Sequence, residues 1–415
     1  MNRRFAVVPS ALALISFALS THTAHGAGIA LDVQSGRGTG MAGAVTAMID
    51  DSSSIFYNPA GIAQGKIFDV QVGDSLILPS FRYTSTQGVS TRNSFEAVPP
   101  FQIYESGGVT DSLSIGIGVF TPFGLTIAWP SEWAGKSIVT RAALATYDFN
   151  PTAAYRIGPL RIGAGFQAVR ATVDLQRKVV TGAAEVSTEL GAAAWGAGAN
   201  VGAQLEAIPQ YLSLGIHYRS AVNFNFDGAA HFENVAPEFQ TLLRDQRATT
   251  SFTTPDVLQM GVASRPVRHL VVDADVVWYG WAKFRSLDIK FPNDPSGMLG
   301  RSSSRRKDWN DTVNVHVGAE AALDESWRVR AGVLYDPSPS PAKTLTPDVP
   351  DADRLNLAVG GGFVHPSGLR VDLGYQLIFA LKKTSTAPEL PGDYTGMVHV
   401  IGMSVGYRTP GSPHP

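Results

Sequence analysis

From about residue 67 to 407, apolar side chains alternate with polar or small ones for roughly ten positions at a time, and each run ends in a turn signal. A period of two makes each run a strand, because successive side chains point to opposite faces. Leu113, Ile115, Ile117 and Val119 interleave with Ser114, Gly116, Gly118 and Phe120; Leu212, Leu214, Ile216 and Tyr218 interleave with Ser213, Gly215, His217 and Arg219. Val313, Val315, Val317, Ala319 and Ala321 oppose Asn314, His316, Gly318 and Glu320. Leu369, Val371, Leu373, Tyr375 and Leu377 oppose Arg370, Asp372, Gly374 and Gln376. One face is apolar and the other carries charge. Soluble sandwiches alternate too, but their strands average five or six residues. Here only one loop interrupts the chain between the turns Ile157-Gly158-Pro159-Leu160 and Ala207-Ile208-Pro209-Gln210, which predicts strands of about 15 residues or more. Fourteen segments can be counted, starting near residues 67, 93, 111, 138, 160, 185, 210, 249, 268, 306, 326, 353, 368 and 395. The number is even, as a closed bacterial barrel requires. The expected fold is all-β, a transmembrane antiparallel β-barrel of about 14 strands.

The connections orient it. Tight turns at Gly158-Pro159, Pro209-Gln210, Pro266-Val267, Asp324-Glu325 and Pro366-Ser367 alternate with long polar segments such as 292 to 305. Short turns belong on the periplasmic side and long loops outside. Trp129, Trp133, Trp278, Tyr279, Trp281, Trp309 and Trp327 fall near strand ends, which predicts an interfacial aromatic girdle. Composition agrees with a barrel in a membrane: 16% of residues are charged, against about 25% in soluble domains. A mean hydropathy of +0.03 is too low for a helical membrane protein. The net charge of -2 leaves no footprint for a nucleic-acid partner. Without cysteine there are no disulfides, thiolate nucleophiles or thiolate metal sites. Residues 1–26 read as a secretory signal peptide, with Arg3 and Arg4, an apolar stretch from Phe5 to Leu19, and Ala24-His25-Gly26 before the break. That stretch is interrupted by Pro9 and is too short to span, which takes about 20 apolar residues.

Residues 27–66 break the alternation. They are rich in Gly, Ala and Ser, and a long non-strand segment before the first hairpin predicts a hatch that plugs the lumen. Gly38-Thr39-Gly40-Met41-Ala42-Gly43 matches a dinucleotide-binding pattern, but no strand precedes it and no acid follows at the required distance. It reads as small residues packed closely against the wall. Asn58-Pro59-Ala60 predicts a turn, since proline disfavours the α region for the residue before it, and the turn is expected to bear on the third strand. There Pro122 removes a ladder donor and Gly124 weakens pairing, so a kink is expected at Pro122, Phe123 and Gly124, opening the wall sideways. In the loop from about 229 to 249, Pro237 suits a first helical turn, and Phe239, Leu242 and Leu243 fall at i, i+3 and i+4. That predicts a short outer helix whose greasy face captures hydrophobic solutes. The lumen face offers Asp273, Asp275, Glu320, Arg328, Arg330, Arg370 and Asp372, read as hatch-holding groups, with His217 and His316 as structural side chains. No H-E-x-x-H or P-loop occurs and the nine histidines lack ligand spacing, so no catalytic residue, metal or cofactor is assigned.

Ala27-Gly28, the Ser/Gly/Ala-rich stretch, the paired Asp50-Asp51 and Asn58-Pro59-Ala60 resemble the N-terminal hatch of the FadL family of outer-membrane transporters. Thr121-Pro122-Phe123-Gly124-Leu125, Trp309-Asn310-Asp311-Thr312 and Tyr335-Asp336 with Ser338, Pro339, Pro341 and Ala342 resemble later segments of that family. The resemblance thins at 176 to 185, where the fatty-acid transporter carries a longer helical loop, and past Tyr407, where the chain runs on as a short tail. It implies a fourteen-stranded barrel divided as signal peptide 1–26, hatch 27–66, barrel 67–407 and tail 408–415. It implies passive transport of long-chain fatty acids or aromatic hydrocarbons by lumen binding, hatch movement and lateral release. The partners then expected are hydrophobic small molecules, outer-membrane lipid and the barrel-assembly machinery. A polar-solute porin is the alternative, and an outer-membrane enzyme or adhesin a further one.

Overall fold

The computed structural model describes residues 28–181, 184–241, 243–294 and 303–410. The expected signal peptide, most of the tail and Leu242 lie outside the described residues. Fourteen strands form one closed antiparallel wall. They are β1 (Phe68–Ser85), β2 (Ser90–Arg92 and Phe101–Gly108), β3 (Leu113–Phe120 and Gly124–Ala128), β4 (Arg141–Ile157), β5 (Leu160–Thr181), β6 (Ala184–Ile208) and β7 (Leu212–Arg219 and Asn223–Glu233). There follow β8 (Gln246–Thr253 and Val257–Val267), β9 (Leu270–Tyr279), β10 (Thr312–Ala322), β11 (Trp327–Asp336), β12 (Arg354–Val364), β13 (Leu369–Ser385) and β14 (Gly392–Arg408). Each strand pairs with its sequence neighbours, and β14 closes on β1 from Asp69↔Arg408 to Ser85↔Gly392. Closure pairs the backbone groups that an open sheet would present at its edges, which a lipid environment demands.

The faces follow the alternation. Ile115, Ile117, Leu214, Ile216, Val313, Val315 and Leu373 are exposed on the outside, while Ser114, His217, Asn314, His316 and Gln376 are buried inside. This inverts a soluble barrel, because here the apolar face is the one that meets lipid. Short turns such as 158–159, 268–269 and 365–368 gather at one end, and the segments 129–140, 234–241, 243–245, 280–294, 303–311 and 337–353 at the other. The connection after β5 is a hairpin whose two strands run on through residues 181 and 184.

The aromatic residues depart from the expected girdle. Trp327 is exposed and Trp278 half-buried, but Trp129, Trp133, Tyr279, Trp281 and Trp309 are all buried. Trp129 and Trp133 stack at 4.4 Å inside a loop cluster with Tyr83, Leu345, Leu390 and Tyr394. An indole at a strand end suits an interface or a cap over the lumen equally well, since it buries a large apolar body and keeps one polar handle.

The segment expected to be the hatch is largely buried from Ile29 to Ala63 and packs against the inner face of the wall. It contributes two short helices, α1 (Gly36–Gly40) and α2 (Ser54–Tyr57), and a 3₁₀ turn, Pro59–Ile62. Gly40 lies against Gly360 of β12, and a side chain at Gly374 of β13 would meet the backbone of Gly36 and Gly40. The glycine-rich motif therefore serves close approach of hatch to wall, as expected.

Candidate functional site

Lumen side chains hold the hatch. Asp275 on β9 accepts from the Val45 and Thr46 backbone N–H groups at 2.9 and 3.0 Å and from the Thr46 hydroxyl at 2.8 Å, and Asp273 accepts from Ala47 N–H at 3.3 Å. His316 Nδ1 lies 2.7 Å from the Ala42 carbonyl. Arg37 of α1 bridges Asp50, Asp51 and Glu320, Glu320 also pairs with Arg330, and Arg330 with Asp372. Arg370 and Arg408 reach Asp69 and Asp50. Burial works against ionisation of Asp50 and Asp51, but Arg37 beside both, with Arg408 near Asp50 and Arg370 near Asp51, pulls their carboxyls below the ordinary range. Deeper in the lumen, Arg219 pairs with buried Asp148 at 2.9 Å, donates to the Phe56 carbonyl at 3.2 Å and lies over the Phe56 and Phe120 rings. Of the charged groups expected to hold the hatch, Arg328 does not, since it donates to the Asp324 and Trp327 carbonyls at a turn.

Asn58 caps the 3₁₀ turn, accepting from Ala60 N–H at 3.3 Å and donating to the Thr46 and Ala203 carbonyls at 3.0 and 3.1 Å. The Asn58-Pro59-Ala60 turn packs chiefly against β5 and β6, with slighter contact to β4 and to the Leu113–Phe120 piece of β3 rather than to the kink. It rests on β5 and β6, where a Cβ at Gly163 would strike Pro59 and one at Gly202 would strike Asn58. Glycine leaves room there for the turn, a long-range fit that local sequence does not display.

The third strand does break, and another part of the hatch meets it. β3 stops after Phe120 and resumes at Gly124. Its first piece pairs with β2 from Gly108↔Ser114 to Ile103↔Val119, while its second piece forms a ladder with β4 alone, from Gly124↔Ala145 to Ala128↔Arg141. Between Ser94 and Ile103, β2 carries Pro99 and Pro100, and among the described residues its only bridge to β3 is Ser94↔Ala128. The freed edge of β3 is taken by the hatch arm at Ile29–Leu31. Gly124 N–H donates to the Ile29 carbonyl and Leu31 N–H to the Pro122 carbonyl, both at 3.0 Å, and Gln34 donates to the Thr121 carbonyl at 2.6 Å. Arg354 of β12 anchors the arm by donating to the Gly28 carbonyl at 3.1 Å while paired with Asp336 at 2.8 Å.

Three cavities lead from the outer loops to this break. The outer one, about 50 Å³, is lined by Leu190, Phe291, Leu287, Arg177, Arg305 and Asp348. It shares Leu175, Leu287 and Asp348 with a middle cavity of about 70 Å³, whose walls include Leu144, Val173, Phe226, Phe252, Phe284 and Trp309. The middle cavity shares Ile29, Leu125 and Val349 with an inner one of about 150 Å³, bounded by the hatch arm, Phe81, Gly124, Ile378 and Val398. At the outer neck Asp348 accepts from the buried Lys307 ammonium at 2.7 Å. Burial opposes its ionisation, but Lys307 holds its carboxyl below the ordinary value.

The expected outer helix is a single turn, Pro237–Phe239, continued by a Leu243 N–H bond to the Phe239 carbonyl at 2.8 Å. Its described apolar residues, Phe239 and Leu243, do not form a free face. Leu243 is buried among Val186, Leu190, Ala248 and Phe291, with Phe239 half-buried beside them, so these residues back the outer cavity wall that Leu190 and Phe291 line. The arm at Ile29–Leu31 and the aromatic wall at Trp281, Phe284 and Trp309 were not singled out from the sequence as site residues. The available signal was that these three aromatics fall between the alternating runs of β9 and β10, outside any strand face.

Residues 17–409 match the family model described as outer membrane protein transport protein (OMPP1/FadL/TodX). The chain belongs to this family. It is 22% identical to a long-chain fatty acid transport protein of Escherichia coli, covering 98% of this chain and all of that one. It is 22% identical to outer membrane protein P1 of Haemophilus influenzae, over 90% and 93% of the two chains. The crystal structure of a Pseudomonas aeruginosa FadL homologue superposes with a TM-score of 0.79 at 18% identity, covering 92% of this chain and 99% of that one. The Pseudomonas putida toluene transporter TodX gives a TM-score of 0.69 at 14% identity, covering 94% and 100%. The sequence-based expectations of family, fold and outer-membrane location therefore hold, and the family's work is transport.

Proposed function

We propose that this FadL-family protein passively carries hydrophobic molecules, of the fatty-acid or aromatic-hydrocarbon kind, across the outer membrane and releases them sideways through the break in β3. The observation that carries the reading is the run of three apolar cavities that share lining residues from the outer loops to the hatch arm. Each step exchanges one apolar wall for another, so cargo avoids the roughly 25 cal/mol per Å² that its exposure to water would cost. A straight path is filled by the hatch, whereas the break adjoins the lipid that an apolar molecule prefers.

The parts act in order. Phe239, Leu242 and Leu243 support capture at the outer cavity. Pro122, Phe123 and Gly124 form the lateral opening, and the arm at Ile29–Leu31 closes it at rest. Asn58, Pro59 and Ala60 fix the hatch against β5 and β6, so that movement is confined to the arm. The outer apolar belt faces outer-membrane lipid and is the surface the barrel-assembly machinery handles. Transport needs no covalent step and no cofactor. Uptake of radiolabelled oleate and toluene by cells with and without the gene tests the reading. Gene-dependent uptake of either supports it, and equal uptake of both with and without the gene overturns it.

A further inference from the structure

On β1, Phe81 lines the inner cavity and Tyr83 is buried under the loops, so Arg82 between them points outward, away from the lumen. Opposite it on β2 stands Arg92, in the register Arg82↔Arg92, Tyr83↔Thr91, Thr84↔Ser90. Both arginines are exposed. Residues paired in this way hold their Cβ atoms about 4.5–5.5 Å apart on one face, where like charges destabilise a sheet. Thr84 and Ser90, the next pair along that face, share a hydrogen bond of 2.8 Å between their hydroxyls. One hydroxyl donates to the other, whose own proton remains to be donated outward.

Among the described residues, neither guanidinium has a carboxylate within ion-pairing distance. The two acids that adjoin this ladder are already engaged. Glu96 accepts from Arg141 with both oxygens, at 2.6 and 3.2 Å. Asp393, opposite Thr84 on β14, accepts from Lys382 at 2.8 Å and from the Thr384 hydroxyl at 2.6 Å. Other exposed cations at this end of the wall do have partners, Arg247 in Asp227 and Lys283 in Asp256.

The arginines sit at the outer end of the strands, beside the 86–89 turn that joins β1 to β2. Below them on β1 the outward positions become Ser80, then Leu78 and Leu76. On β14 they pass from Thr395 to Met397 and Ile401, with His399 between these two held by Tyr375 at 2.8 Å. Such a change from guanidinium and hydroxyl to hydrocarbon marks the level where a lipid's charged head gives way to its acyl chains. A phosphate at that level meets two planar guanidinium forks that match its oxygens, with a hydroxyl donor beside them.

We propose that Arg82 and Arg92 clamp a phosphate of an outer-leaflet glycolipid, whose acyl chains lie on Leu78, Met397 and the apolar belt beneath. The bound anion turns a repulsive pair into a stabilising one. This site is on the opposite face of β1 from the inner cavity and takes no part in the cargo path.

The test uses the full-length protein in detergent, with bisphosphorylated lipid A and its dephosphorylated form as probes and native mass spectrometry as the readout. The unmutated protein should retain lipid A about tenfold better than the dephosphorylated lipid. Arg82→Gln combined with Arg92→Gln should remove that preference. Lys382→Gln, which deletes a cation already paired, should leave it intact. Inorganic phosphate in millimolar excess should leave the lipid bound, because acyl contacts add to its hold, and displacement by the free ion would overturn the lipid assignment. Equal retention of the two lipids by the unmutated protein, or an undiminished preference in the double variant, also overturns the proposal. The comparison of lipids needs no variant, so it decides the matter even where the double variant fails to assemble.

Discussion

Asp275 shows how single side chains decide whether the hatch stays seated. Its Oδ2 serves three donors of the segment Val45–Thr46, all buried in the lumen. Asp275→Ala would leave those donors without an acceptor, at about 1–3 kcal/mol for each that finds no substitute. Partial replacement by water brings the expected net loss to about 2 kcal/mol, or roughly thirtyfold in the seating equilibrium. Single-channel recordings should show correspondingly more frequent openings in a barrel that still assembles, and wild-type quiescence would mean that other contacts hold the hatch. The same scale governs the residues proposed for capture. Because Leu243 and Phe239 pack behind Leu190 and Phe291, replacing Phe239, Leu242 and Leu243 by Ser should loosen the outer cavity wall. Affinity for a hydrophobic ligand should fall severalfold with barrel assembly intact, and unchanged affinity would confine these residues to loop packing.

Among the elements, the strands were legible and the hatch contacts were not. The run Leu113 to Phe120 alternates because one face meets lipid and the other the lumen, so a period of two survives in the sequence itself. Pro122 and Gly124 announced the break in β3 for an equally local reason, the missing donor and the weak pairing. What fills that break was hidden. Ile29–Leu31 pairs through its backbone, and a backbone bond leaves no residue-type signature. The rest of the site escaped for a related reason: Gly163 and Gly202 receive Asn58 and Pro59 from more than a hundred residues away, and Trp281 and Trp309 looked like interface residues until the loops folded inward. The hatch's ion pairs give a pH dependence with a definite sign. Asp50 and Asp51 are held below their ordinary values by Arg37, Arg408 and Arg370, so they favour seating fully above the free-carboxylate pKa of about 4 and lose that contribution as pH falls through their lowered values. Leakage of a small polar solute through the barrel in liposomes should stay flat from neutral pH down to about 4 and rise below it. Leakage that grew towards alkaline pH would contradict this assignment.

For the whole molecule, a closed wall meets the N-terminal arm at a single break in β3. The wall pairs strand to strand around its circumference, and its ladder is incomplete where β2 carries Pro99 and Pro100 and β3 turns away. There the arm at Ile29–Leu31 pairs with the edge of β3, and on the proposed route cargo in the inner cavity leaves when the arm detaches. Ala30 and Phe123 face each other across this contact, between the two hydrogen bonds that join Ile29 to Gly124 and Leu31 to Pro122. They form a non-hydrogen-bonded antiparallel pair, whose Cα atoms approach to about 4.5 Å, within the range a disulfide spans. The chain has no cysteine of its own, so Ala30→Cys with Phe123→Cys introduces one defined cross-link. The decisive measurement is uptake of a hydrophobic cargo by cells carrying this double variant, oxidised and then reduced, with the cross-link verified by mobility. Uptake at least tenfold slower when oxidised and restored by reductant is the expected result. Equal uptake in the two states, with the disulfide fully formed, would show that cargo does not leave through the break that this arm closes.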